Sequence, residues 1–369
     1  MKNNKSFRNI FAALFLCVAT AVFVYAPVDA ARTAELFIWQ NSESSARLVL
    51  MRTGKQTYEE AARKYLKAYN EKKDLRKIAE GPLKIKIDSE SFHSLSSESA
   101  TNKPRFIVIA ADPYQASGAV TAKNWYRGLD TAGADVFVMP TAADIGLSKS
   151  DSKTYQDLIA ENFAGMLLLG GNDIDPSLYG EKNTDSEDLA PTRDESEYEM
   201  LKAYMKAEKG SVFGICRGQQ LIAVASGYKL IQDIRNDQPD VTIRHQSQEH
   251  LVRLLPVAGS PLTHAFEDKE YLTVVSIHHQ AVDIDSNKSG PLKVLARSVV
   301  SRKSDANPAK DSEAQIVEAI ALKNGRGFAV QFHPEMVYKT LLGRKIFSEM
   351  VRVARLKSKV RKSCLAELK

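Results

Sequence analysis

The chain has 369 residues, 44% hydrophobic and 26% charged, which is enough apolar content for a sizeable core and excludes a fibrous or disordered chain. The net charge is +6, but residues 344–369 carry +7 and residues 1–30 carry +2, leaving −3 for the rest. A positive surplus confined to the ends gives no basic working face, so no nucleic-acid partner is expected and the tail reads as a solvated helix face.

Taken in chain order, the first segment has the pattern of an export signal. Lys2, Lys5 and Arg8 form a positive start, an apolar run follows from Ile10 to Ala26, and Val28-Asp29-Ala30 offers small residues for cleavage. Cleavage after Ala30 is favoured over a retained anchor at residues 10–26, a run close to the shortest spanning helix. The expectation is an exported protein, periplasmic or secreted, with a membrane anchor as the alternative. Cys17 lacks the small residues expected before a lipidated cysteine. Removing the signal leaves Cys216 and Cys364, which is no disulfide framework.

Residues 31–101 read as an accessory, mainly helical segment packed on the main domain. Thr57-Tyr58-Glu59-Glu60 has the form of a capping box, and a charged helix is expected from Tyr58 to about Ala79, stopped by Gly81-Pro82. Leu83 to Ile87 alternates like a strand, and Ser89 to Thr101 reads as a Ser-rich linker.

The main domain is expected over residues 102–353. Strands are expected at Phe106–Ala110, Val136–Met139, Gly165–Leu169 and Val212–Ile215. Helices are expected at Lys123–Ala132, Thr154–Phe163 and Asp194–Glu208. Continuous apolar strands alternating with helices indicate an α/β fold, a mostly parallel sheet with helices on both faces. Shorter strand-like runs follow at Leu251–Leu255, Leu272–Val275, Leu292–Ala296 and Ile316–Leu322, with loops at Asn287–Pro291 and Ser301–Asp311. A strand at Phe328–Phe332 precedes a last helix from about Thr340, with Ile346, Met350 and Val353 on one face. Residues 354–369 form the basic tail.

Four segments fall at the carboxyl ends of expected strands, where open α/β sheets place their sites. Gly214-Ile215-Cys216-Arg217-Gly218 sits between a strand and a helix and has the small-x-nucleophile-x-small form of a nucleophile elbow. Taken alone, the same stretch also fits a buried cysteine between two loop glycines. His333 and Glu335 are two apart, so in an extended segment their side chains share one face and the carboxylate can hold the imidazole. Their co-occurrence with the elbow favours a Cys, His, Glu catalytic set. Gly170-Gly171 can bring backbone N–H groups to a ligand and, with the N–H of Arg217, form an oxyanion hole, or can be an ordinary loop. Asp173 and Asp175 either recognise a substrate ammonium or shape the turn at Pro176. His278 and His279 follow the end of a middle strand, and adjacent strand histidines point to opposite faces, so no metal site is expected there or at the other histidines. No ATP-binding loop of the Gly-rich, Lys-containing kind is present, and no cofactor is expected.

Together these segments resemble the γ-glutamyl-γ-aminobutyrate hydrolase family of the class I glutamine amidotransferase-like superfamily. The resemblance is carried by the run Leu169 to Gly180, by Arg193-Asp194, by Gly214 to Gln220, by His278 to Asp283 and by Gln331 to Glu335, and spans about residues 104–353. It implies a flavodoxin-like core with Cys216 as nucleophile, His333 as base and Glu335 as third member. Gly170, Gly171, Arg217, Asp175, His279 and Gln280 are the expected oxyanion and substrate-binding residues. The implied reaction is hydrolysis of a small γ-glutamyl amide through a thioester. The alternatives are a glutaminase unit feeding a synthetase and a binding module without chemistry. A homo-oligomer is left open.

Overall fold

In a computed structural model the described residues are 34–40, 47–71, 92–98, 101–109, 120–237, 246–300 and 312–356. The export segment 1–30, the end of the first helix beyond residue 71, the strand expected at 83–87, the loop at 301–311, Cys17, Cys364 and the tail from 357 lie outside them.

The strands in chain order are β1 (Ala34–Gln40), β2 (Arg47–Thr53), β3 (Phe92–Ser94), β4 (Arg105–Ile109), β5 (Asp135–Met139), β6 (Gly165–Leu168) and β7 (Ser211–Ile215). They continue as β8 (Lys229–Ile231), β9 (Gln246–Leu254), β10 (Tyr271–Ile277), β11 (Ala281–Asp283), β12 (Leu292–Val300), β13 (Ser312–Leu322) and β14 (Gly327–Val330). The principal helices are α1 (Tyr58–Glu71), α2 (Val120–Thr131), α3 (Lys149–Asn162), α4 (Pro191–Ala207) and α5 (Arg217–Ala225). Three more follow: α6 (Ile234–Asp237), α7 (Pro261–Ala265) and α8 (Leu341–Arg355).

Twelve strands form one sheet in the order β10-β9-β12-β13-β14-β7-β6-β4-β5-β2-β1-β3, and β8 and β11 pair apart from it. The six strands from β14 to β2 run parallel. The flanks on both sides are antiparallel. The expected α/β architecture therefore describes the centre of the sheet. In β4, Phe106 and Val108 enter one apolar layer and Ile107 and Ile109 the other; β5 divides in the same way. Period-two alternation thus explains the continuous apolar runs, because both faces are covered. One layer packs α1, α3, α4 and α5; the opposite layer packs α2 and α8.

Residues 31–101 differ from the helical segment expected. The capping box forms as read: Thr57 N–H donates to Glu60 Oε2 at 2.7 Å and Glu60 N–H to Thr57 Oγ1 at 3.1 Å. Around α1, however, lie three strands of the main sheet. β1 and β2 pair antiparallel, and β2 adds to the parallel core through Leu48 opposite Val138. Within the expected Ser-rich linker, Phe92–Ser94 forms the edge strand on β1. The physical reason is apolar area: Leu36, Phe37, Ile38 and Trp39 are consecutive and all buried, which a strand covered on both faces satisfies. Among the described residues no helix is long and apolar enough to cross a membrane.

Candidate active site

The parallel strands β6, β7 and β14 deliver three segments to one rim of the sheet. Cys216 follows β7 directly and adopts φ 52° and ψ −111°, while α5 starts at the next residue. A left-handed backbone at a non-glycine residue costs about 1–3 kcal/mol and persists only where the surroundings hold it. Here the Cys216 N–H donates to Val330 O of β14 at 2.9 Å, and Cys216 O receives the Gln219 N–H at 2.9 Å. The turn leaves no room at its flanks. A Cβ on Gly214 would lie 2.5 Å from the Gly218 carbonyl carbon, and one on Gly218 would lie 2.3 Å from Leu168 O of β6. Both obstacles are backbone and cannot swing away. Gly218→Ala is accordingly expected to destabilise the fold by about 1–3 kcal/mol or more, the usual range for forced overpacking. A denaturant midpoint unchanged from wild type would show that the elbow is looser than described.

His333 follows β14 and is fixed by its backbone, whose N–H donates to Val275 O of β10 at 2.9 Å. Its Nδ1 lies 2.6 Å from Glu335 Oε1. The pair meets, but not through the extended segment expected from its spacing. Pro334–Val337 instead folds into a 3-10 turn that His333 caps, and the turn carries the carboxylate back under the ring. Nε2, the other ring nitrogen, is buried and makes no hydrogen bond among the described residues. Burial works against charge on this imidazole. The adjoining Cys216 sulfur, and after it Glu335, outweigh burial and push the ring up to about 11. The charged imidazolium is the form of His333 that this environment favours, while the Cys216 Sγ lies 3.7 Å from Ile277 O of β10. Gly170 sits against both groups: a Cβ there would be 3.3 Å from His333 Cε1 and 3.9 Å from Cys216 Sγ.

Gly171 lies at φ +151°, and a Cβ on it would fall 2.1 Å from Arg193 Nη1. The glycine is therefore required by a guanidinium packed against the loop. Arg193 Nη2 donates to Gly170 O at 3.2 Å and Nη1 to Asn172 Oδ1 at 3.4 Å. The Arg217 side chain, fully buried beneath the elbow, pairs with Asp194 and Glu197 of α4.

A cavity of about 170 Å³ adjoins the sulfur, lined by Gly171, Asp173, Cys216, Gln220, Ile277 and the run 278–280. His278 and His279 both belong to this lining and lie just beyond β10, which ends at Ile277. Their rings bond different partners, His278 Nδ1 donating to Gln280 O at 2.9 Å and His279 meeting Asp173. Asp175 is not part of this lining. Its Oδ1 accepts the Ser177 N–H at 2.8 Å and caps the Pro176–Tyr179 turn, while its own N–H donates to Asp194 Oδ2 at 2.8 Å. Of the two expectations for this residue, turn shaping is the one its contacts match. Gln280 donates through Nε2 to Ser186 Oγ at 2.8 Å, while its Oε1 is buried without a partner among the described residues.

His279 Nε2 is 2.8 Å from Asp173 Oδ2 and Nδ1 is 3.4 Å from Asp233 Oδ2. The hydrogen bond to Asp173 leads a set of carboxylate contacts that raise the His279 imidazole against partial burial. A histidine raised above its unfolded value near 6.5 contributes stability that is complete below about 6.5 and is lost as pH rises through the folded value. His279→Asn is therefore expected to flatten the fall in stability on the alkaline side of about pH 6.5, read as unfolding midpoint against pH. Parallel wild-type and variant curves would show that this ion pair contributes nothing to folding.

Among the described residues no group of three or more His, Cys, Asp or Glu side chains is gathered as a metal site. His93, His250 and His264 each pair with one carboxylate, of Glu98, Glu318 and Glu349. Sequence reasoning did not single out Ile277, Asp233 or Glu197, and gave Gln220 only as part of the run that carries the resemblance. For Glu197 the signal was present: an Arg and a Glu at i and i+4, one turn into a helix that must also bury Met200 and Leu201.

A family match and sequence relatives place this fold among glutamine amidotransferase-like C–N hydrolases. The chain belongs to the peptidase C26 family, whose profile matches residues 109–335. It is 32% identical over 201 residues to the glutamine amidotransferase-like protein YvdE of Lactococcus lactis, covering 53% of this chain and 74% of that one. It is 28% identical over 245 residues to protein NtpR of Enterococcus hirae, covering 63% of this chain and 89% of that one. Among solved structures, the glutaminase domain of Trypanosoma brucei CTPS with bound acivicin aligns with a TM-score of 0.45 and 13% identity, over 68% of this chain and 94% of that domain.

Proposed function

We propose that this protein is an exported cysteine hydrolase that cuts γ-glutamyl amide bonds. The observation that carries the reading is the placement of the Cys216 sulfur and the His333 ring against the same residue, Gly170, with His333 Nδ1 held 2.6 Å from Glu335 Oε1. The Cys216 thiolate attacks the γ-carbonyl carbon, and the carbonyl oxygen takes the negative charge. The N–H groups of Gly171 and Arg217 receive that oxyanion. The C–N bond breaks as the His333 imidazolium gives its proton to the departing amine, leaving a γ-glutamyl thioester. His333, now neutral, takes a proton from water; the hydroxide attacks the thioester, and free glutamate and the thiolate leave. Glu335 keeps Nδ1 protonated throughout and supports the charged ring.

The small cavity suits the γ-glutamyl half, with the unpartnered Gln280 Oε1 and the Asp173–His279 pair as polar anchors. A larger cavity of about 1040 Å³ is lined in part by Gln232 and Asp233, the latter in contact with His279, and offers space for the amine half. The test is a panel of γ-glutamyl amides, their α-linked isomers and free glutamine. Turnover of γ-linked secondary amides well above the other two supports the reading. Preference for free glutamine would favour an ammonia-supplying glutaminase instead. Export rests on the pattern from Lys2 to Ala30, and a mature protein that begins at Ala31 when its N-terminus is sequenced supports it.

A further inference from the structure

We infer that Arg193, Asp194 and Glu197 are positioning residues that lock the Gly170–Asp175 loop to the Cys216 elbow and so fix the distance between the two halves of the oxyanion hole. The inference rests on the thioester mechanism proposed for this site.

The halves come from different strand ends. Gly171 follows β6 and Arg217 follows β7, so a backbone N–H from each must converge on one oxygen. Two guanidiniums stand behind them. The Arg193 fork holds the glycine loop through Gly170 O at 3.2 Å and Asn172 Oδ1 at 3.4 Å. The Arg217 fork hangs from the elbow itself. Glu197 joins the two, accepting from Arg193 Nε at 2.8 Å on Oε1 and from Arg217 Nη1 on Oε2. Asp194 makes a second bridge, from Arg217 Nη2 on Oδ1 to the Asp175 N–H at 2.8 Å on Oδ2. Every link runs from the loop, through α4, to the residue after the nucleophile.

All four side chains are buried, each residue at most 4% exposed, and their formal charges cancel. Two cations and two anions withdrawn from water gain little stability over apolar packing of similar size, while losing one member leaves an unpaired buried charge. What the quartet offers in return is geometry. Planar forks accept only a narrow range of partner positions, so loop and elbow are held in one register. Burial pushes the Glu197 carboxyl up, but Arg193 and Arg217 outweigh it and hold it below the usual range, so it stays charged between them. Gly171 completes the fit, since any side chain there would displace the Arg193 fork.

The test compares Arg193→Lys and Glu197→Gln with wild type in the full-length protein. Lysine keeps the charge but cannot hold Glu197 and the loop together; glutamine keeps the shape but not the charge. Three readouts are taken: turnover of γ-glutamyl-p-nitroanilide, turnover of p-nitrophenyl acetate, and alkylation of Cys216 by iodoacetamide. Both hydrolyses need an oxyanion hole and only the first needs γ-glutamyl recognition; alkylation needs neither. The expected result is a kcat about 10- to 100-fold lower on both substrates, with KM within about twofold, somewhat less than the loss of one whole oxyanion donor. Alkylation stays within about twofold of wild type, because the sulfur and His333 are undisturbed. A kcat within twofold of wild type in either folded variant overturns the inference. So does a parallel fall in alkylation and kcat, which would assign the quartet to the nucleophile. Wild-type turnover of the ester but not of the anilide would remove the γ-glutamyl reading and leave the positioning inference readable on the ester.

Discussion

Replacing Cys216 by alanine is expected to lower amine release from γ-glutamyl amides by about four orders of magnitude or more, with the fold retained. The size follows from the chemistry. Without sulfur no thioester forms, and the only nucleophile left is water, which attacks an amide far more slowly than a thiolate does. Retention of the fold follows from the geometry. Alanine and cysteine meet the same cost at φ 52°, and the hydrogen bonds that hold the turn are made by the backbone of residue 216, not by its side chain. The lost packing is one sulfur atom at a 5% exposed site. Activity and circular dichroism on one preparation separate the two effects. Undiminished amine release from a folded variant would place the nucleophile elsewhere.

His333→Gln is expected to lower kcat by about 10²- to 10⁴-fold, the usual worth of a positioned general acid–base group. Glutamine reaches toward Glu335 but can neither carry the positive charge that balances the thiolate nor give a proton to the leaving amine. The wild-type pH profile gives an independent check. With the ring pushed up to about 11, the imidazolium persists as pH rises past the ordinary histidine range near 6.5 and is lost only as pH climbs through the raised value. Activity is therefore expected to hold from neutral to mildly alkaline pH, with no falling limb near 6.5. A profile that drops between about pH 6 and 7.5, on a protein shown to remain folded, would mean that the sulfur and the ring are not coupled as described.

Much of this site is legible in the sequence. The parallel centre announces itself because Phe106–Ile109, Val136–Met139 and Val212–Ile215 are apolar without interruption and alternate with helical stretches. The rim follows from the strand-end rule together with Gly214, Cys216 and Gly218. Three things stay hidden, each for a physical reason. β1 and β2 are short apolar runs; β1 pairs antiparallel and the parallel partner of β2 lies about ninety residues on, Leu48 against Val138, so no local βαβ pattern marks them. The quartet around Arg217 is hidden because charged side chains on a helix are ordinarily solvated; Arg193, Asp194 and Glu197 are buried by a tertiary arrangement that helix periodicity does not encode. The setting of the histidines at 278 and 279 is hidden because the alternation rule holds only inside a strand, and β10 ends at Ile277. The β10 register already shifts between Ser276 and Ile277, and both histidines then fall in the lining of one cavity. His333 and Glu335 are paired correctly by their spacing, although a 3-10 turn rather than an extended segment brings them together.

The most direct test of thioester chemistry at Cys216 is to mix wild-type protein with a γ-glutamyl amide, quench with acid within the first turnovers, digest, and weigh the peptide that contains Cys216. This peptide is expected to gain the mass of a γ-glutamyl group as a thioester, and hydroxylamine is expected to remove it. Turnover of the substrate with no such adduct on Cys216, or with the adduct on a different residue, would contradict the assignment.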